Sequence, residues 1–327
     1  MNRWSARVLG VLWCLLLFPQ PAPAPLIYTP GEGWHYEKVG GGDWVRQNAK
    51  DQLAVAVAAF ERKDYSVALK AARRIVKHER WRLGDYAPEA QYILGRCYEA
   101  KRQDEKAFKA YQELLVKHPR VDNYDEVVLR QFVIADKFLG GQWFKLWGVI
   151  PFFPSMDKTI EFYEQIIKNG TYSKVAPYAQ LQIGAAHEKK VAPAYDAAAR
   201  AYERAADRYS DQPIGTDAMY KAGEAYLKQA KRAEYDQSVA GQAIGTFSDF
   251  ATLHPTDKRV PEVQKQVDQL RAEQARGSFA IAQFYEKRRQ WEGARVYYND
   301  ALRKDPGSKY ADEALRRIDA INKQHAK

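Results

Sequence analysis

Only two cysteines, Cys14 and Cys97, occur in 327 residues. That excludes a disulfide framework or a cysteine-based metal site, and Cys97, between Arg96 and Tyr98, is expected to be a packed small side chain rather than a reactive thiol. The six histidines (His35, His78, His118, His187, His254 and His325) are scattered. Neither HERWR nor HEKKV carries a second histidine one helical turn on, as a zinc-protease helix requires. No P-loop and no Ser-centred nucleophile elbow occurs, and the GEG and GGG runs at 31–33 and 40–42 lack the flanking strand and helix of a dinucleotide site. The sequence therefore points to a non-enzyme with no cofactor and no metal. Histidines 118 and 254 each precede a proline at the end of a helical repeat, where a protonated imidazole would meet the helix C-terminus favourably.

Long apolar runs are also missing. The longest, Val8 to Phe18, spans about 16 Å as a helix, roughly half of a bilayer core of ~30 Å. It follows a basic start, MNRWSAR, and precedes PQPAPAP, in which Ala22 and Ala24 form a small-x-small site. This layout is that of a secretory signal over residues 1–24, and it predicts export. Residues 25–43, rich in glycine and aromatics without helical periodicity, are expected to form an extended lead-in. The net charge of +10 could attract an anionic surface or nucleic acid, but lysines and arginines mostly alternate with acids, as in KRQDEK and YEKRRQWEGAR, and read as solvated helix ends.

What the chain does have is a repeat. Residues 88–119, PEAQYILGRCYEAKRQDEKAFKAYQELLVKHP, carry Leu94, Gly95, Tyr98, Ala107, Tyr111 and Pro119 at the tetratricopeptide spacing, with Gln91 in place of tryptophan. A glycine inside a helix costs about 1 kcal/mol against alanine, so Gly95 implies close approach of a neighbouring helix. Ala107 is the expected contact, with Tyr98 and Tyr111 filling the gap, and Pro119 ends the hairpin. The same pairing recurs as Gly184 with Ala198, Gly223 with Ala243, and Ala282 with Ala294. A first repeat places Ala56, Ala59, Ala68, Ala72 and Ile75 at packing spacing around the turn ERKDY. A third begins near Tyr124, with Ile134, Ala135 and Phe138 opposite Thr159, Tyr163 and Ile166. In the fifth, a polar turn is expected through QAKRAEYDQSVAGQ. A separate helix from Val260 to about Gln274 leads into the sixth, and Ala311, Ala314, Leu315, Ile318 and Ile321 form the inward face of a final capping helix. The fold class is thus all-α, a right-handed solenoid of about six tetratricopeptide-like hairpins over residues 44–327.

Two places could meet a partner. The first helices of such hairpins line a groove that takes extended peptides; the register puts Tyr92, Arg96, Phe132, Asp136, Leu181 and Glu188 there. The other is an insert at 139–157, LGGQWFKLWGVIPFFPSMD, whose Trp143, Phe144, Trp147, Phe152 and Phe153 give more apolar surface than a connecting loop normally carries. Folding back over the repeats, docking a partner, and shallow contact with a membrane surface all remain open for it.

Two stretches carry a family likeness, AIGTFSDFATLHPTDKRVPEVQKQVDQL (243–270) and SFAIAQFYEKRRQWEGARVYYNDALRKDPGSKYADEAL (278–315). With them, the six repeats and the export signal, the chain resembles the BamD-type lipoproteins of the outer-membrane barrel assembly machinery. The resemblance implies a non-enzymatic periplasmic subunit, associated with the outer membrane, that docks through its C-terminal repeats on a barrel assembly subunit and receives extended segments of nascent outer-membrane proteins. It departs from the family at Trp13, where a lipidated cysteine would follow a small residue. The alternatives are a periplasmic tetratricopeptide scaffold for another envelope complex, or a protein bound peripherally to an anionic surface; export argues against nucleic acid.

Overall fold

The computed structural model describes residues 26–29, 33–36, 44–146, 150–232 and 237–325. The expected signal segment, 1–24, lies outside them. The chain divides into two compact units, residues 1–93 and 94–327.

In the first unit, part of the lead-in is a two-stranded antiparallel hairpin, β1 (Leu26–Thr29) and β2 (Gly33–Tyr36), with Leu26 opposite Tyr36. Helices α1 (Ala49–Glu61) and α2 (Tyr65–Lys77) form the first helical hairpin. The side chain of Asn48 caps α1 by accepting from the Asp51 amide, and Asp64 caps α2 by accepting from Val67. Ala56, Ala59, Ala68, Ala72 and Ile75 are all fully buried, as their spacing requires. Gln52, also buried, fixes the entry of the chain by donating to the Trp44 carbonyl and accepting from the Arg46 amide.

Helix α3 (Ala87–Ala100) crosses the division between units and leads to α4 (Asp104–Lys117), α5 (Tyr124–Leu139), α6 (Met156–Asn169), α7 (Ala176–Glu188), α8 (Tyr195–Arg208), α9 (Pro213–Arg232), α10 (Gln237–Leu253), α11 (Val260–Lys287), α12 (Trp291–Lys304) and α13 (Lys309–His325). Consecutive helices pair as hairpins, α5 with α6, α7 with α8, α9 with α10 and α11 with α12, and α13 packs on the last. The fold is all-α, interrupted among the described residues only by two short β-hairpins.

A ring buried at the same step of each hairpin from the second to the sixth holds its two helices together. Tyr111, Tyr163, Tyr202, Phe247 and Tyr298 each follow the small residue of the second helix by four positions and are all but inaccessible. A methyl placed on Gly95 would lie 2.2 Å from Tyr111, on Gly184 2.4 Å from Tyr202, and on Gly223 2.4 Å from Phe247. The atoms that demand glycine therefore belong to the aromatic, one turn beyond the alanine expected to make the contact. Ala107, Ala198, Ala243, Ala282 and Ala294 are fully buried.

Three hairpins share one turn. Lys63, Arg102 and Arg289 adopt φ of 62°, 53° and 60°. The residue after each donates its amide five residues back, Asp64 to Ala59, Gln103 to Tyr98 and Gln290 to Tyr285. This is a left-handed helix stop built on a cation where glycine is usual.

Four expectations are corrected. Helix α11 runs unbroken for 28 residues. Its Val263 and Val267 pack with Phe247 and Phe250 of the fifth hairpin, while Phe279 and Ala282 pack with Ala294, Tyr298 and Ala301 of the sixth. Burial at both ends outweighs the cost of Gly277 in its middle. The polar turn of the fifth hairpin is shorter than read, because α9 continues to Arg232 and α10 resumes at Gln237. In the capping helix, Ala311, Ala314 and Ile321 are buried but Leu315 is exposed. Finally, burial and then Lys117 push the His118 imidazole below its ordinary value, which works against the protonated form expected at the end of α4.

Candidate partner-docking site

The register of the hairpins orders the surface of their first helices. Residues three and six positions before the Gly95-type position step about 60° and about 120° around the helix from it, toward solvent. On α5, where Ala135 takes that position, these are Phe132 and Leu129; on α7, before Gly184, they are Leu181 and Tyr178. Leu129 is 48% exposed, Val133, one turn on from it, 48% and Tyr178 53%, while Phe132 and Leu181 are half-buried. Helices α5 and α7 touch, so two neighbouring helices both leave large apolar groups uncovered at equivalent positions.

The patch has edges. On its α9 side the equivalent residues are Asp217 and Tyr220, and Arg259 roofs both: its guanidinium lies 2.8 Å from Asp217, 4.8 Å from the Tyr220 ring and 5.2 Å from the Phe250 ring. Asp257 closes the clamp at 2.7 Å, and the guanidinium holds that carboxyl down at about 2. Toward α3 the boundary is a charged ladder in which Arg130 reaches Glu99 at 3.1 Å and Glu126 at 2.7 Å, with Arg96 3.8 Å from Glu99.

Beneath the patch the backing is rigid. Tyr163 donates to Asp136, and its ring lies 5.9 Å from Phe132. Burial raises the pKa of both Tyr163 and Asp136. A closed amide cluster ties α4, α5 and α6: Asn169 donates to Gln112 at 2.7 Å and to Gln131 at 3.2 Å, and Gln131 donates to Gln112 at 3.0 Å. Tyr124 adds a bond to the Asn169 carbonyl at 2.9 Å.

Of the groove residues expected from sequence, Phe132 and Asp136 thus belong to this patch or its support. Leu181 also packs against the cluster around Tyr202, and Glu188 is committed to Lys228 at 2.7 Å. Arg96 belongs to the bordering ladder, and Tyr92 is half-buried in the first unit. Sequence reading missed Leu129, Val133 and Tyr178; the signal was present, since Tyr178 precedes Gly184 by the same step as Leu129 precedes Ala135.

The insert forms a hairpin of β3 (Phe144–Leu146) and β4 (Ile150–Phe153). Phe144 is corrected from a docking residue to a core one. It is 2% exposed, stacks 4.2 Å from Phe138, meets the edge of Phe162 at 5.8 Å, and is covered by Lys158 at 5.1 Å. Trp143 beside it is 51% exposed. The backbones of Phe152 and Phe153 lie in β4, and Trp147 lies outside the described residues. Gln142 and Lys137 both hold Asp104, at 2.8 and 2.7 Å, and so pin the start of the insert to α4.

No cluster of three or more His, Cys, Asp or Glu is placed to hold a metal ion among the described residues, and no described helix is long and apolar enough to cross a membrane. Burial raises Cys97 to about 11. What the arrangement offers is an apolar surface with charged borders.

Several solved structures align with the chain. The C-terminal part of a tetratricopeptide-repeat protein from Cytophaga hutchinsonii is 15% identical, with a TM-score of 0.35, covering 82% of this chain and 88% of its own. A tetratricopeptide-repeat protein from Parabacteroides merdae is 8% identical, with a TM-score of 0.33, covering 84% and 98%. No curated protein sequence matches the chain. Residues 89–120 match the tetratricopeptide-repeat family model, in the window where the motif was read. Residues 161–327 match the model of the YfiO family, described as outer membrane lipoprotein, and this match takes in both stretches that carried the likeness. Covering half of the chain, it shows that the protein belongs to the YfiO family and is a BamD-type tetratricopeptide-repeat protein.

Proposed function

We propose that this protein is a non-enzymatic periplasmic adaptor of outer-membrane β-barrel assembly, and that the uncovered face of α5 and α7 receives an extended apolar segment of a client or partner subunit. The observation that carries the reading is the pairing of Leu129 and Tyr178 at equivalent steps of adjacent helices, with Val133 one turn on from Leu129, each about half exposed. Apolar surface repeated in register between charged borders suits a chain whose alternate side chains point one way. Family membership supports the partner class, a barrel-forming assembly subunit and nascent outer-membrane proteins. Trp143, exposed at the root of the insert, extends the docking surface, and the C-terminal repeats engage the assembly subunit.

The test is a photo-crosslinking amino acid at Tyr178 in envelope preparations, with Val116 on the second helix of another hairpin as control. The reading expects a barrel-type membrane protein or its unfolded precursor captured from Tyr178 and not from Val116. Equal capture from both positions, or capture of cell-wall complexes alone, would overturn it.

A further inference from the structure

Several other helices pair cations with acids one turn away, such as Lys117 with Glu113, Arg200 with Asp196 and Arg295 with Glu292. In α2 no acid stands three or four residues from Lys70, Arg73, Arg74 or Lys77. From Arg62 to Arg82 the chain holds eight lysines and arginines against Asp64 and Glu79 alone, in a protein of net +10. Three and four residues to either side of Lys77 stand Arg73, Arg74, Arg80 and Trp81. Like charges at this spacing oppose helix formation, and α2 itself holds no acid to offset them.

The geometry gathers these groups on one side. At 100° per residue, Lys70, Arg73, Arg74 and Lys77 fall on the face opposite Ala68, Ala71, Ala72 and Ile75, which are fully buried. The turn that follows is stiffened by Trp81, stacked 4.0 Å from His78 with the Arg74 guanidinium 5.7 Å from its ring. Held by that pile, Arg80 and Arg82 are exposed, Leu83 is 76% exposed and Tyr86 beside it is 38% exposed.

We infer that this face of the first unit lies on an anionic phospholipid surface, with the cations against headgroups and Leu83 and Tyr86 dipping into the interface. The exposed leucine favours a bilayer over a soluble polyanion, since a polyanion supplies charge but no apolar phase for the side chain to enter. The inference is independent of the docking face on α5 and α7.

Flotation of the full chain with phosphatidylcholine vesicles, with and without phosphatidylglycerol, tests it; binding common to both vesicle types is subtracted. The expected result is preference for the anionic vesicles that falls as salt rises from about 0.1 to 1 M and the screening length shrinks from ~10 to ~3 Å. Each cation near such a surface contributes about fivefold. The quadruple variant K70Q/K77Q/R80Q/R82Q should therefore lose roughly 100-fold or more of the difference, with its helical circular dichroism intact. Leu83→Ser should weaken vesicle binding without changing binding to inorganic polyphosphate. No preference for anionic vesicles, a quadruple variant that binds like the parent, or polyphosphate binding without vesicle binding would each overturn the assignment.

Discussion

Replacing Gly223 by alanine tests the physical basis of the repeat directly. The added methyl would lie 2.4 Å from one ring carbon of Phe247 and 2.5 Å from the next. An ordinary carbon contact is about 3.5 Å or more, so the ring or a helix must give way by about 1 Å. Overpacking of this kind costs about 1–3 kcal/mol. Against it stands the gain of about 1 kcal/mol from replacing a helical glycine with alanine. The expected net is a destabilisation of about 1 kcal/mol. Removing the ring should invert the sign. Phe247→Ala alone costs about 3–5 kcal/mol, but Gly223→Ala added to it should stabilise by about 1 kcal/mol, because only the propensity gain remains. The coupling between the two positions is then about 1–3 kcal/mol. Urea unfolding of the four members of the cycle, with hydrogen exchange at α9 and α10 amides to localise the change, provides the measurement. If Gly223→Ala stabilises the parent as much as it stabilises Phe247→Ala, the ring does not dictate the glycine and the account of the hairpins fails.

Three further outcomes follow from the same geometry. Arg102→Gly and Arg289→Gly should each stabilise by about 0.5–1 kcal/mol in thermal unfolding, since a left-handed conformation strains every residue but glycine; a loss would show that the cation matters more than its backbone. Asn169→Ala should cost about 1–3 kcal/mol by leaving the buried Gln131 amide short of a partner, with a double replacement of Gln131 and Asn169 by apolar residues recovering part of it. For His187, burial first and then Lys190 and Arg204 lower the pKa, with Asp157 and Asp196 opposing. The folded state therefore binds its proton less readily than the unfolded chain, so the stability that the neutral imidazole contributes is present above about pH 6.5 and is lost as pH falls through the depressed value. His187→Gln should flatten that part of the melting-temperature profile, and an unchanged slope would exclude His187 as its source.

The succession of hairpins was legible because small residues and rings recur at fixed steps, which is the pattern that nesting helices impose on any sequence. That Tyr111 supplies the atoms nearest Gly95 was not legible, because Ala107 and Tyr111 lie on one face of α4 and sequence alone does not say which of two stacked groups reaches the glycine first. The continuity of α11 was illegible for a different reason. Gly277 and the polar residues around it look like a break, and only burial by two successive hairpins shows why the helix persists. Within the insert, Phe144 could not be told from Trp143 by composition; the rings of Phe138 and Phe162 make the distinction. Leu129 and Val133 escaped notice because an apolar residue in a helix is read as core until its neighbours are counted.

The uninterrupted α11 sets how the end of the chain comes apart. Because one rod of 28 residues serves as a wall of two compartments, neither can open without loosening the other. In most repeat arrays the last module peels away on its own. Here residues 237–325 should melt in a single step, so proteases should find no durable intermediate that has lost α12 and α13 while keeping α10 intact.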